Sequence, residues 1–369
     1  KKQQRGHAAY MIAEIFNSIP ANFIGSVVVD SPIGIYPLVL RLDLSGGTIQ
    51  LTGTSPARMA PRDHVTRLAF RPHDAAYSKA LDRIVAVSAN PNRLHIYDPL
   101  TNDHQIVELD RLPECVAVDE DGDRAVIGHD GWLTVVDLTT RTVTAVWQTQ
   151  DKPARIQLAG LYAYLPGKDH AVVSIGLESG DRMVAQNAGD AIRLHPDGKL
   201  LYTLAGSYGQ MRRFALTDGV LTLAATVNQT NGGDLWFSAD GSRIFLNAGQ
   251  VYKCKPIPAE DMVKEGQINN SVGHIAHSLS LGRVAVIRRW TGWEPGDTSL
   301  VFLYNDQSLE LKASYELPSF LPDRFVTSSA HFVFFNNAST AMSVIVQAGP
   351  EGGLLNDFGV VVLKPGELE

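Results

Sequence analysis

"RLHPDGKLLYTLAGSYGQMRRFALTDGVLTLAATV", residues 193–227, sets a proline–aspartate–glycine turn between two apolar runs and then adds two further strand-like segments. Residues 114–147, "ECVAVDEDGDRAVIGHDGWLTVVDLTTRTVTAVW", repeat that order. There an apolar run (115–118) meets an acidic glycine turn (119–123), and a second run (125–127) leads into a polar loop (128–131). A third run (133–138) reaches the turn 139–141 before a fourth (143–147). Alternation with β-branched and aromatic residues marks strands, and Gly, Asp, Asn and Pro mark turns through the dihedral angles they favour. Units of about forty residues holding four short strands are the signature of β-propeller blades.

The grammar recurs along most of the chain, with regular units at 65–109, 112–149, 153–187, 190–228, 231–267 and 272–317. With the strands of a unit lettered A to D outward from the central channel, "RPHDAAYSKALDR" (71–83) reads as a long A–B turn. Near the start, "SVVVDS", "PLVLRLDL" and "TIQLTGT" (within 26–54) read as strands B, C and D of a blade lacking A. Near the end, "RFVTSSAHFVFFNN", "MSVIVQAG" and "FGVVVLKP" supply more strands. Strands from both termini are expected to close the ring, because closure removes exposed edges. The expected fold is therefore all-β: a propeller of four-stranded antiparallel blades, seven in number, with eight as the alternative count. Residues 1–22 read as a leader and 23–369 as a single propeller domain. Helix is expected at 8–19 and, at most, at 71–83.

The 369 residues are 44% hydrophobic and 19% charged, ample for a large core. A net charge of -7 provides no broad basic field for nucleic acid or an anionic membrane. No apolar run is long enough to span a bilayer. Cys115 and Cys254 fall in blades three apart, too far for a disulfide, so two buried free thiols are expected.

The phrases "HPDGKLLYTLAG", "SADGSRIFLNAG" and "LTVVDLTT" resemble the bacterial propellers of the YVTN/YncE-like, lactonase-type group. The resemblance is one of repeat grammar. It implies a bacterial periplasmic, extracellular or cell-surface protein. It transfers no catalytic motif.

Propeller geometry narrows the search for a site. The D–A and B–C connections emerge on one face, where strand A begins and the channel opens. Convergent loops on a rigid scaffold favour ligand sites there. Aligning the starts of the A strands brings Arg67, Glu114, Arg155, Asp190, Asp234 and His274 to that mouth. Guanidiniums grip carboxylate or phosphate through paired hydrogen bonds, while a carboxylate or imidazole moves protons. The bland alternative is a wet channel whose charges compensate one another. The B–C loops add Asn90, Asn92, His129, Asp130 and Tyr208, and the long "RRWTGWEPGDT" (288–298). In that loop Trp290 and Trp293 stand with Arg288, Arg289 and Glu294, the composition of an interface hot spot or a stacking platform for a sugar.

Other motifs carry less. "DEDGD" (119–123) lacks the remaining ligands of a calcium loop and falls at an A–B turn. His274 and His277 point to opposite faces of a strand, so they are no zinc pair. No nucleophile elbow, P-loop, dinucleotide fingerprint or haem motif is present, and no metal or cofactor is expected. The expected function is a non-catalytic binding or assembly propeller for a protein partner or a polar or saccharide ligand. The alternative is a lactonase-like hydrolase using Glu114, Arg155 and His274.

Overall fold

The computed structural model describes residues 65–205, 209–228, 233–288, 298–321 and 326–364, together with strands Val39–Asp43 and Gln50–Thr54. The chain forms two compact units, Lys1–Pro56 and Ala57–Glu369. In the first, the two strands pair antiparallel with Val39 opposite Thr54.

The second unit is a seven-bladed β-propeller built from seven antiparallel sheets of four strands. Blade 1 spans residues 72–108, blade 2 115–148, blade 3 157–185, blade 4 191–228, blade 5 235–267 and blade 6 274–316. Blade 7 takes three strands from 328–363 and its outermost strand, Thr66–Arg67, from the other end of the unit. Thr66 lies opposite Val360, and Arg67 opposite Gly359. Strands from both ends close the ring as expected, but the donor is 66–67 rather than 26–54. The two described strands of that earlier segment pair with each other.

This shifts the phase of the first repeat. Pro72–Ser78, read from sequence as a turn, is the innermost strand of blade 1. Its register slips between Pro72 and Asp74, which breaks the alternation that marks a strand. Among the described residues there is no α-helix, only short 3-10 turns at Lys168–His170 and Pro350–Gly352. None of the described helices is long and apolar enough to cross a membrane. The helix expected at 8–19 lies outside the described residues.

The A–B turns show why the repeat is written as it is. Gly122, Gly198 and Gly241 have φ of 76°, 71° and 71°, the left-handed region that side chains with a Cβ resist. Each donates its N–H back three residues, to Asp119, His195 and Ser238 respectively. The acidic run 119–123 is such a turn, with Asp119 Oδ1 accepting from the Gly122 and Arg124 amides.

The core is not central. Seven hydrophobic clusters lie one in each seam between neighbouring blades. Cys115, Val126 and Leu133 of blade 2, for example, meet Ile156, Leu165 and Val173 of blade 3. Middle strands are therefore buried on both faces, while the outermost strand Thr142–Gln148 alternates and shows its edge to solvent. Cys115 and Cys254 are both buried and unbridged, as their blade positions require.

Candidate functional site

The innermost strands all run in one direction and begin at one mouth of the channel. Side chains near those starts reach sideways to the next blade. Asp74 Oδ2 accepts from the Val116 amide at 2.9 Å, joining blades 1 and 2. Gln157 Oε1 accepts from the Leu194 amide at 2.9 Å, joining 3 and 4. Arg193 Nε donates to the Leu235 carbonyl at 3.0 Å, joining 4 and 5. His274 Nδ1 accepts from the Val333 amide at 3.4 Å, joining 6 and 7.

Inside this girdle sits an ion cluster. Both guanidinium nitrogens of Arg155 donate to Asp234, the Nη2–Oδ2 bond at 2.7 Å, a two-pronged pairing that spans from blade 3 to blade 5 over blade 4. Arg193 Nη2 approaches Asp234 Oδ1 at 3.5 Å, and its guanidinium carbon lies 5.8 Å from the ring centre of Trp236. Between a fifth and a third of each of these three charged side chains remains exposed: 29% for Arg155, 28% for Arg193 and 20% for Asp234. Each of the three side chains therefore keeps contact with solvent at the channel mouth.

The titration behaviour follows from this packing. Burial alone would raise the Asp234 carboxyl, but Arg193 and Arg155 outweigh it and hold the group down at about 2. Burial raises Asp74, only partly offset by the Val116 and Ala75 amides that it accepts from. Burial, with the Arg193 charge beside it, lowers His274 to about 4, so at neutral pH this imidazole is uncharged.

Of the residues aligned from sequence, Arg155, Asp234 and His274 come together here. The others do not join them. Glu114 is held by Lys152 Nζ at 2.7 Å. Asp190 pairs with His170 Nδ1 at 2.5 Å, both about half exposed. Arg67 is no mouth residue: the phase shift puts it on the outermost strand of blade 7, exposed, with its guanidinium 5.9 Å from the Phe320 ring centre. His129 is also corrected. Strand Arg124–His129 runs longer than its apolar run, and the ring is buried, only 1% exposed, between the Leu112 carbonyl and Thr134 Oγ1, each at 2.9 Å. Arg288 packs over Phe302 at 4.6 Å and donates Nε to Asn270. Tyr208, Trp290, Trp293 and Glu294 lie outside the described residues. Ile287, the last strand residue before that loop, pairs with His274, so the loop leaves blade 6 at the channel mouth.

Sequence reading missed Asp74, Gln157 and Arg193. Asp74 was hidden by the misread strand, Gln157 opens its strand as an uncharged residue two positions past Arg155, and Arg193 sits inside its strand, where alternation gives no sign of a sideways reach.

A second girdle ties the other face. Ser78 Oγ donates to the Gly122 carbonyl at 2.6 Å, and the Ala239 amide donates to His277 Nδ1 at 2.8 Å. Ser278 bonds Ser339 at 2.8 Å, and the Asn337 amide reaches Asp82 Oδ1 at 2.6 Å, joining blade 7 to blade 1. Replacing Asp234 by Asn should cost about 1–2 kcal/mol of unfolding free energy in urea melts. That is less than a fully buried pair would cost, because water reaches the two guanidiniums it leaves behind. Unchanged stability would mean that water alone suffices to hold Arg155.

No group among the described residues forms a three-member metal cluster of His, Cys, Asp or Glu. No protein-family model matches the chain, and no curated protein does. Solved structures do. The chain is similar to the β-propeller domain of Cps50 (Swd1) from Myceliophteria thermophila, with a TM-score of 0.64 and 10% identity over 80% of this chain and 97% of that one. It is also similar to a chain of the Mitotic Checkpoint Complex, with a TM-score of 0.60 and 9% identity over 94% of this chain and all of that one. At such identities the likeness establishes the seven-bladed propeller fold.

Proposed function

We propose that this propeller is a non-catalytic binding or assembly protein that offers its channel-mouth face to a protein partner. A polar or saccharide ligand at the same face is the narrower version of that reading. The supporting observation is how the charged groups are occupied. Arg155 and Asp234 bind each other, and Asp74, Gln157, Arg193 and His274 bind the backbones of neighbouring blades. Their work is to hold the ring rigid, which leaves the loops around the mouth to make contacts. The hydrolase reading needs Glu114, Arg155 and His274 to face a common point, yet each has a different partner: Lys152, Asp234 and the Val333 amide. One of the propellers it resembles is a chain of the Mitotic Checkpoint Complex, and the repeat grammar of YVTN/YncE-like bacterial propellers supports a periplasmic, extracellular or surface location.

The test is purification from the native source under mild conditions, followed by identification of what remains bound. A stoichiometric partner is expected. Changing Trp290 and Trp293 together to Ala should weaken its binding by about 2 kcal/mol or more, the threshold of a hot spot, with the unfolding midpoint unchanged. Unchanged binding by the folded double variant would move the interface away from this loop.

A further inference from the structure

Blade 3 ends in a four-residue outermost strand, Arg182–Ala185, whereas blade 4 ends in strands of eight and nine residues, Gln210–Thr217 and Val220–Asn228. The shorter sheet cannot cover the longer one. The seam between them holds the smallest of the seven hydrophobic clusters, and outside it lies a groove of about 470 Å³. Its apolar wall is Phe214, Leu221 and Leu223, with Leu223 56% exposed. Its rim is amide-rich, with Gln186, Asn187 and Gln210 beside Arg212.

Two features point to what would fill it. Arg212 donates Nη2 to Gln210 Oε1 at 2.8 Å, but among the described residues no carboxylate pairs with it, in a chain where 39 acidic side chains face 32 basic ones. A cation left without an anion beside an apolar wall complements an acidic side chain flanked by apolar ones. The second feature is the edge. Among the described residues, strand Val220–Asn228 is the longest in the propeller, carries neither charge nor proline, and has no strand on its outer side. Most outermost strands here carry a charge that discourages pairing, as His104–Glu108, Lys264–Gln267 and Leu311–Glu316 do. The other uncharged one, Thr142–Gln148, turns Trp147 onto blade 3, where its indole N–H donates to the Leu177 carbonyl. A register slip opposite Arg213 and Phe214 divides the blade 4 edge into two runs of four residues, which fits a short segment rather than a long one.

We propose that this groove takes a short extended segment of a partner protein. The segment pairs its main chain with the free edge of Val220–Asn228, lays apolar side chains against Leu221 and Leu223, and sets an acidic side chain on Arg212. This rests on the reading of the propeller as a binding protein and names a second docking point, away from the channel.

The test uses two fluorescent peptides, acetyl-Leu-Thr-Leu-Thr-Glu-Thr-amide, whose two Leu and one Glu share a face when extended, and the same peptide with Lys for Glu, titrated with the intact protein by anisotropy. The acidic peptide should bind at least about tenfold more tightly than the basic one. Arg212→Gln should abolish that preference, and Leu223→Asp should abolish binding of both, with unfolding midpoints unchanged. Equal affinities for the two peptides, or no binding of either at about 1 mM, overturns the groove. A protein that fails here yet retains a stoichiometric native partner through the 288–298 loop overturns only this proposal, and the channel-mouth reading stands.

Discussion

Replacing Asp261 by Ala should destabilise the propeller by about 3–5 kcal/mol in urea or thermal unfolding, the cost of leaving a buried charge without its partner. Asp261 and Arg213 are 2% and 6% exposed and meet at 3.2 Å in the seam between blades 4 and 5. The carboxylate has four donors: Arg213 Nη1, the Tyr202 hydroxyl at 2.6 Å, and the Lys255 and Met262 amides at 3.0 and 2.9 Å. Arg213 in turn donates to the Lys255 and Pro256 carbonyls, so one ion pair folds the 254–262 connection of blade 5 onto blade 4. Removing the carboxylate leaves the guanidinium without its counter-charge, the phenol without its carboxylate acceptor and the Lys255 amide without its partner, while the Met262 amide keeps the Lys253 carbonyl. Burial and the Asp261 hydrogen bond keep the Tyr202 phenol protonated, and burial raises the neighbouring Cys254 thiol to about 12, so neither supplies a replacement charge. Exchanging both partners for apolar residues, Arg213→Met with Asp261→Leu, should recover at least half of the loss, because no charge then remains buried. A single Asp261→Ala variant within about 1 kcal/mol of the parent would show that water takes the place of the carboxylate.

Acidification should unfold the ring well before the carboxylates titrate. Six of the eleven histidines have lowered proton affinity, each chiefly through burial: His95, His104, His129, His274, His277 and His331. His95 falls to about 3 and His274 to about 4. His95 is 1% exposed, stacked on Phe70 with ring centres 3.7 Å apart, and its ring nitrogens meet Ser88 Oγ and His104 Nε2, each at 2.8 Å. The folded state keeps this ring neutral, while the unfolded chain takes up a proton near pH 6.5. The unfolded state therefore binds more protons below that pH. The contribution of His95 to stability is intact above about pH 6.5 and declines by up to about 1.4 kcal/mol per pH unit, until the pH reaches its folded value. Asp234 behaves differently. Its affinity is depressed from the usual carboxylate value to about 2, so its contribution persists until the pH drops below about 3.8. The melting temperature should thus fall steadily between pH 6.5 and 4.5, and a His95→Gln variant should show a shallower slope. A flat profile across that window would mean that these rings protonate without opening their seams.

The repeat was legible where both faces of a strand are buried. Runs such as 84–87 and 284–287 are apolar throughout, and the glycine turns at 122, 198 and 241 fix where such runs reverse. Innermost strands are harder because they face water in the channel. Pro72–Ser78 holds His73 and Asp74 and slips register, so its polar residues looked like a turn. Arg155, Asp234 and His274 were legible as site residues because charged side chains at the ends of loops, just before or at a strand start, stand out. Arg193 was not, because a charge inside a strand carries no mark of the blade it reaches. His129 was misplaced for a different reason: its imidazole satisfies two polar groups inside the blade, so a polar residue after an apolar run did not signal an exposed loop.

The closing strand of blade 7 also has a mechanical meaning. Thr66–Arg67 contributes just two residues to its sheet, against six from its neighbour Phe358–Leu363, and it is joined by continuous chain to residues 1–56. Tension arriving from that direction enters the ring at its shortest strand, where few hydrogen bonds share the load. The ring has a designated tear line, and the six other blades, each made from one unbroken stretch of chain, lie behind it.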